Sequence, residues 1–295
     1  MLVRRGVAAS MVATLVITAL GCRSEGRGSA GVDVVAGFYP MAWAAERIGG
    51  DQIDVEDLTP AGAEPHDLEL TTGQVDDVLD AEVVVVLGED FQPAVEDAAA
   101  RRDGATVAVL DGLPEGAVVE GDPHVWLDPV LMAHVAGAVE DGLVDADPDH
   151  ASTFRRNADH LREELRALDD EYRAGLATCQ RDLLVTAHEA FGYLTARYGL
   201  RQEGVAGLSP DAEPDARRLG ELADLARDEG VTTVFTEELL SPEIAETLAR
   251  EAGGLRTEVL SPLETLGDEE RRSGEDYLSV MRDNLDKIRA ALGCS

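Results

Sequence analysis

Basic side chains are scarce: 25 arginines and lysines stand against 59 aspartates and glutamates, for a formal net charge of −34. Only Lys287 among the cations is a lysine. Such a field repels phosphate backbones, which excludes nucleic acid as a partner. Aromatic residues make up 4% of the chain, which counts against a wide cleft gripping an organic solute by stacking. Three cysteines, Cys22, Cys179 and Cys294, are too few for a disulfide scaffold or a thiolate zinc cluster. Catalytic signatures are also missing. There is no Gly-x-Ser-x-Gly elbow, no phosphate loop ending in Lys-Ser/Thr and no dinucleotide fingerprint. His188-Glu189-Ala190-Phe191-Gly192 opens like a metalloprotease helix but has glycine where the second histidine must stand.

What is present is enough for one large domain or two smaller ones: 295 residues, 44% hydrophobic and 28% charged. At the N-terminus, Arg4 and Arg5 precede an apolar stretch, Val7 to Leu20, too short to span a bilayer but of the length of a signal segment. It ends at Ala19-Leu20-Gly21-Cys22, which resembles a bacterial lipobox, and a polar, glycine-rich run follows. Residues 1–21 therefore read as a signal peptide and 22–31 as a tether lipidated on Cys22. A plain signal peptide with an incidental cysteine is the alternative, and either one exports the protein. An exported domain can hold a disulfide, which makes Cys179 and Cys294 a candidate pair, with two free thiols as the alternative.

From Val32 onward, short β-branched runs alternate with amphipathic segments, the pattern of an α/β fold with mostly parallel sheets. Val32–Val35, Ile53–Leu58, Val83–Leu87 and Thr106–Leu110 form one set of expected strands. Leu183–Thr186, Glu203–Ala206, Val231–Thr236 and Arg256–Leu260 form a second. Between them, Phe154, Ala158, Leu161, Leu165, Leu168, Tyr172 and Leu176 recur at helical spacing. The expected fold is thus two lobes, 32–147 and 179–295, each a four-stranded sheet with flanking helices, joined by a long rigid helix over 148–178.

Six histidines offer chemistry. His134, His150 and His160 fall on helical, largely charged stretches and read as surface residues. His66, His124 and His188 fall where loops should follow strands, and open parallel sheets bind ligands beyond the carboxyl ends of their strands. Two of those loops belong to the first lobe and one to the second, so a ligand shared by all three lies in the cleft between lobes. Three neutral imidazoles suit zinc and leave room for one more ligand in a tetrahedron. Their spacing matches no short metal motif.

Four segments carry a more specific signal: Gly62-Ala63-Glu64-Pro65-His66-Asp67, Asp122-Pro123-His124-Val125-Trp126-Leu127-Asp128-Pro129, Thr186-Ala187-His188-Glu189-Ala190-Phe191-Gly192-Tyr193-Leu194 and Leu260-Ser261-Pro262-Leu263-Glu264. Together, from about Val32 to Leu292, they resemble the cluster A-I metal-binding lipoproteins, the solute-binding proteins of bacterial ABC transporters for zinc and manganese. The resemblance implies two α/β lobes joined by a long helix, with His66, His124 and His188 as metal ligands. Manganese-type members carry an aspartate after the last strand where this chain has Ser261. The segment Pro262-Leu263-Glu264, followed by Gly274 to Met281, is nearer the laminin-binding, streptococcal zinc-type branch, which implies Glu264 as the fourth ligand. Glu64, Glu237 and a water are the rivals. The histidine-rich loop of many zinc-specific members is missing, since Asp111 to Asp122 is short and has no histidine.

Three nitrogens and one oxygen suit zinc and offer too few oxygens for calcium or magnesium; manganese is second choice. The implied protein is a monomeric, membrane-anchored binding protein that passes its metal to an ABC permease and is not an enzyme. A three-histidine zinc hydrolase with Glu189 as base is the competing class, and an adhesin role like that described for some relatives is a further reading.

Overall fold

A computed structural model describes residues 31–210 and 215–295. The signal segment, Cys22 and all but the last residue of the tether lie outside the described residues.

The first sheet contains β1 (Val32–Ala36), β2 (Ile53–Asp57), β3 (Val83–Val86) and β4 (Ala105–Ala108). All pair in parallel, in the order β2-β1-β3-β4. The helices of this half are α1 (Tyr39–Gly49), α2 (Thr72–Asp80), α3 (Pro93–Ala99) and α4 (Pro129–Ala146). Next comes α5 (Ala151–Leu176). The second sheet repeats the first: β5 (Leu183–Thr186), β6 (Arg201–Gly204), β7 (Thr233–Thr236) and β8 (Arg256–Val259) lie parallel in the order β6-β5-β7-β8. Its helices are α6 (Gly192–Tyr198), α7 (Ala216–Asp228), α8 (Glu243–Glu251), α9 (Asp268–Ser273) and α10 (Tyr277–Leu292). The inner strands β3, β5 and β7 are buried at every residue, as a sheet covered by helices on both faces requires. The inner strand β1 is buried except at Asp33, and the edge strands β2, β4, β6 and β8 carry the other exposed positions.

Several elements differ in their bounds from the sequence reading: β4 ends at Ala108, before a 3₁₀ turn over Val109–Gly112, and β7 begins at Thr233. Strand β6 lies two residues upstream of the expected Glu203–Ala206 run. Val205 and Ala206 continue toward β5 by donating to Thr186 O and Ala187 O (2.8 Å each), but they already belong to the loop beyond the sheet. Pro148–His150 forms a separate turn of 3₁₀ helix, so the long helix starts at Ala151. Proline is well placed to open that turn, and Asp147 caps it by accepting from His150 N at 3.3 Å.

At 26 residues, α5 is about 39 Å long at 1.5 Å per residue. Its apolar stripe, Phe154 to Leu176, is buried and belongs to one core that runs without a break from Val32 to Leu292. Asn157 donates to Ile48 O in the first half (2.9 Å), and Tyr172 OH donates to Met281 O in the second (2.6 Å). The helix is therefore tied to α1 in the first half and to α10 in the second.

Just past α5, Cys179 is bonded to Cys294 just past α10 (S–S 2.01 Å), across a separation of 115 residues. Closing so long a loop restricts the unfolded chain. Replacing both cysteines by serine is expected to cost about 2–5 kcal/mol of stability, read from urea unfolding. An unchanged unfolding midpoint would contradict that contribution.

Candidate metal centre

Both sheets turn the carboxyl ends of their strands toward the same seam. His66 lies on the loop after β2 and His124 on the segment between β4 and α4. His188 lies two residues after β5, and Glu264 five residues after β8. Each lobe thus contributes two side chains. Their ligand atoms all lie within 4.8 Å of one another. Glu264 Oε1 is 3.3 Å from His66 Nε2, 3.4 Å from His124 Nε2 and 3.5 Å from His188 Nε2. The Nε2 atoms of His124 and His188 are 3.3 Å apart. A tetrahedron with bonds of about 2.0–2.1 Å has edges of about 3.3–3.4 Å, and the distances from Glu264 to the three imidazoles and between His124 and His188 are close to that edge length.

Local sequence explains each placement. Asp128 caps α4 by accepting at Oδ1 from Val130 N (2.8 Å) and Leu131 N (3.3 Å), with Pro129 in the first helical turn. That fixes the stretch bearing His124. The His188 loop is held by Thr186, whose hydroxyl donates to His188 O at 2.7 Å. Leu263, just before Glu264, has a φ of 56°, and this left-handed turn precedes the carboxylate.

Two further carboxylates decide which nitrogen faces the centre. His124 Nδ1–H donates to Asp122 Oδ1 (2.8 Å), and His188 Nδ1–H donates to Glu237 Oε2 (2.6 Å). With the Nδ1 protons held there, the Nε2 lone pairs turn inward. Asp122 packs so closely against Gly192 at the start of α6 that a Cβ there would sit 2.6 Å from Asp122 Oδ2. Tyr193 OH donates to Asp122 O (3.0 Å) and accepts from Val119 N (2.8 Å), so the second lobe also steadies the His124 segment.

The electrostatics are those of a site built around a cation. His124 and His188 are fully buried and Glu264 is 2% exposed. Burial disfavours charge on His188, but Glu237 and Glu264 overcome it and raise its pKa to about 10. His124 is raised too: burial opposes the charge, and hydrogen bonds to Asp122 and Glu264 outweigh it. Burial pushes Glu264 up, yet the three imidazoles around it hold its carboxyl well below the ordinary range.

His66 differs from its partners in being partly exposed and set against the edge of Phe91 (ring centroids 4.6 Å apart). It lines a cleft of about 290 Å³ with Glu89, Asp90, Asp122 and Pro123. A larger hollow of about 530 Å³ beside β1 and β2 borders none of the ligands.

Of the rivals for the fourth position, Glu237 is engaged on the far side of His188. Glu64 folds back on its own loop, accepting from His66 N at 3.3 Å, and stays 3.9 Å from His66 Nε2. Burial, followed by the charge of Glu264, raises Glu64 to about 7. The other histidines stay apart: His134 and His160 are exposed, and His150 pairs with Asp147 (2.5 Å). Sequence reading left Asp122, Trp126 and Tyr193 without roles. The only signal for Asp122 was a carboxylate two residues before a histidine.

NMR titration of the metal-free protein should find the His188 imidazole protonated up to about pH 10. Glu237→Gln, which removes one of the two carboxylate charges, should lower that titration point. An unmoved titration would remove Glu237 as its cause.

Comparison with known proteins bears on the family. Residues 34–291 match the family described as ZnuA, zinc-uptake complex component A periplasmic. The zinc-binding lipoprotein AdcA of Streptococcus pneumoniae is 35% identical over 289 residues, covering 92% of this chain and 58% of the relative. This chain therefore spans less than two thirds of that protein's length. The high-affinity zinc uptake system protein ZnuA of Bacillus subtilis is 35% identical over 302 residues, covering 94% of each chain. Among solved structures, the laminin-binding protein Lmb of Streptococcus agalactiae, described as having adhesin and metal transporting activity, superposes with a TM-score of 0.82. It is 31% identical and covers 89% of this chain and 100% of that one.

Proposed function

The chain belongs to the zinc-uptake complex component A family, a family of solute-binding transport proteins, and we propose from that premise that it captures zinc as cargo between its lobes and passes it to an ABC permease. The observation that supports this reading is the donor set, three imidazole Nε2 atoms 3.3–3.5 Å from one carboxylate oxygen and all four within 4.8 Å of one another. Four protein ligands fill a zinc shell and leave no coordination position for a reactive water, which suits carriage and disfavours a zinc hydrolase. A single oxygen donor also disfavours manganese, which prefers more oxygens.

His66, His124, His188 and Glu264 are the proposed ligands. The proposed layout of the chain is a leader over 1–21, a tether from Cys22 to residue 31, lobes over 32–147 and 179–295, and the connecting helix over 148–178. A lipid on Cys22 would hold a monomer at the outer face of the membrane. Among the described residues, no helix is long and apolar enough to cross a membrane. Release follows from the division of ligands: parting of the lobes separates His66 and His124 from His188 and Glu264.

Native mass spectrometry with elemental analysis should find one zinc per chain in the wild type. Glu264→Ala should retain zinc at least about tenfold more weakly, having lost a charged ligand. Chains that take up no zinc, or an alanine variant that binds as tightly, would contradict the reading.

Protons and zinc compete for the same imidazoles. Because His188 and His124 are raised, the ion must displace protons at neutral pH, so apparent affinity should climb from pH 5 to pH 8. Calorimetry in buffers of different ionisation enthalpy should read about one or more protons released per zinc at pH 7. Affinity that is flat with pH, with no proton release, would count against ligation by these histidines.

A further inference from the structure

Glu264 reaches the centre from an unusual backbone. Leu263, just before it, has a φ of 56°, in the left-handed region that bulky side chains rarely occupy. Two sets of hydrogen bonds hold this turn. From α10, Asn284 takes both backbone groups of Ser261, accepting from its N–H at 3.0 Å and donating to its carbonyl at 2.7 Å. Ser261 Oγ in turn accepts from Leu263 N at 3.2 Å. The second hold comes from the other lobe. Trp126 Nε1–H donates to Pro262 O at 2.7 Å, in a fully buried position.

Trp126 is well placed to transmit force across the seam. It stands two residues after His124, with its ring packed against Phe38, Phe91 and the His124 imidazole (centroids 4.9, 5.7 and 5.2 Å away). Its own carbonyl accepts from Tyr277 OH at 2.6 Å. One side chain, rooted beside a ligand of the first lobe, therefore grips the backbone two residues before the ligand of the second.

We infer that Trp126 is a positioning residue that couples closure of the lobes to placement of the Glu264 carboxylate. While the indole holds the Pro262 carbonyl, Leu263 stays left-handed and Glu264 Oε1 stays within reach of all three imidazoles. When the lobes part, that bond breaks and the turn is free to relax. The carboxylate then withdraws, and the ion loses the one anionic ligand of the four. The inference rests on the zinc-cargo reading and assigns one side chain the task of making that cargo releasable.

Zinc affinity measured by competition with a chromophoric chelator tests it, using the wild type, Trp126→Phe, Glu264→Ala and the double variant. Trp126→Phe keeps an aromatic ring and removes the N–H. It is expected to weaken zinc binding about 10- to 100-fold, as loss of an outer hydrogen-bond partner does elsewhere. With Co²⁺ in place of zinc, the intense visible absorption of a tetrahedral site should fall in this variant. The double variant should bind no more weakly than Glu264→Ala alone, because Trp126 acts through Glu264. Wild-type affinity in Trp126→Phe would overturn the inference. So would losses that multiply in the double variant, which would mean that Trp126 acts through His124 or through packing. If Trp126→Phe does not fold, the benzothiophene analogue of tryptophan placed at position 126 serves instead, because it keeps the bicyclic ring and lacks the N–H that Pro262 O accepts. The zinc affinity of that protein should fall in the same direction, and a value equal to the wild type would again overturn the inference. A wild type that binds no zinc would sink the cargo reading and this inference together, whereas normal wild-type binding with an indifferent Trp126→Phe would sink only the inference.

Discussion

Three imidazole nitrogens within 3.3–3.5 Å of one carboxylate oxygen, with His124, His188 and Glu264 withdrawn from water, make an arrangement that a shared positive charge stabilises. The rest of the fold serves that constraint. Asp122 and Glu237 hold the outward nitrogens of His124 and His188, so the inward lone pairs are fixed. The turn at Leu263 precedes Glu264, and the cap at Asp128 further fixes the stretch that bears His124. Burial disfavours charge on His124 and His188, and the carboxylates around them raise the pKa values of both all the same.

The architecture limits how such a site can open. Because α5 is packed into both halves and one apolar core runs through the molecule, the lobes are not free to swing as independent bodies. Small displacements at the seam are enough, since a coordination shell loses its fit over a few tenths of an ångström. Contacts that cross the seam close to the candidate ligands include Trp126 to Pro262, Tyr277 to the Trp126 carbonyl, Tyr193 to the segment before His124, and Gly62 N–H to the Thr265 hydroxyl at 3.2 Å. They tie the candidate ligand loops of opposite lobes to each other.

Much of this was legible in the sequence. The fully buried strands announce themselves as β-branched runs, and the stripe from Phe154 to Leu176 announces α5. His66, His124 and His188 stand out because each follows a strand. Glu264 was legible only through the resemblance of its segment to a known family, because a single glutamate 76 residues after a histidine carries no spacing signal. Strand β6 was misplaced because the apolar pair Val205-Ala206 is buried beside the site without belonging to the sheet. The role of Glu237 was hidden for another reason. Whether a carboxylate meets the ion or the far nitrogen of an imidazole depends on ring rotation and loop packing, which no linear pattern records.

The central claim is the composition of the shell, and X-ray absorption at the zinc edge of the zinc-loaded protein tests it most directly. The account predicts four nitrogen or oxygen scatterers at about 2.0–2.1 Å, with the outer-shell pattern of three imidazoles. A shell of five or six oxygen-rich ligands, or one with fewer than three imidazoles, would contradict it.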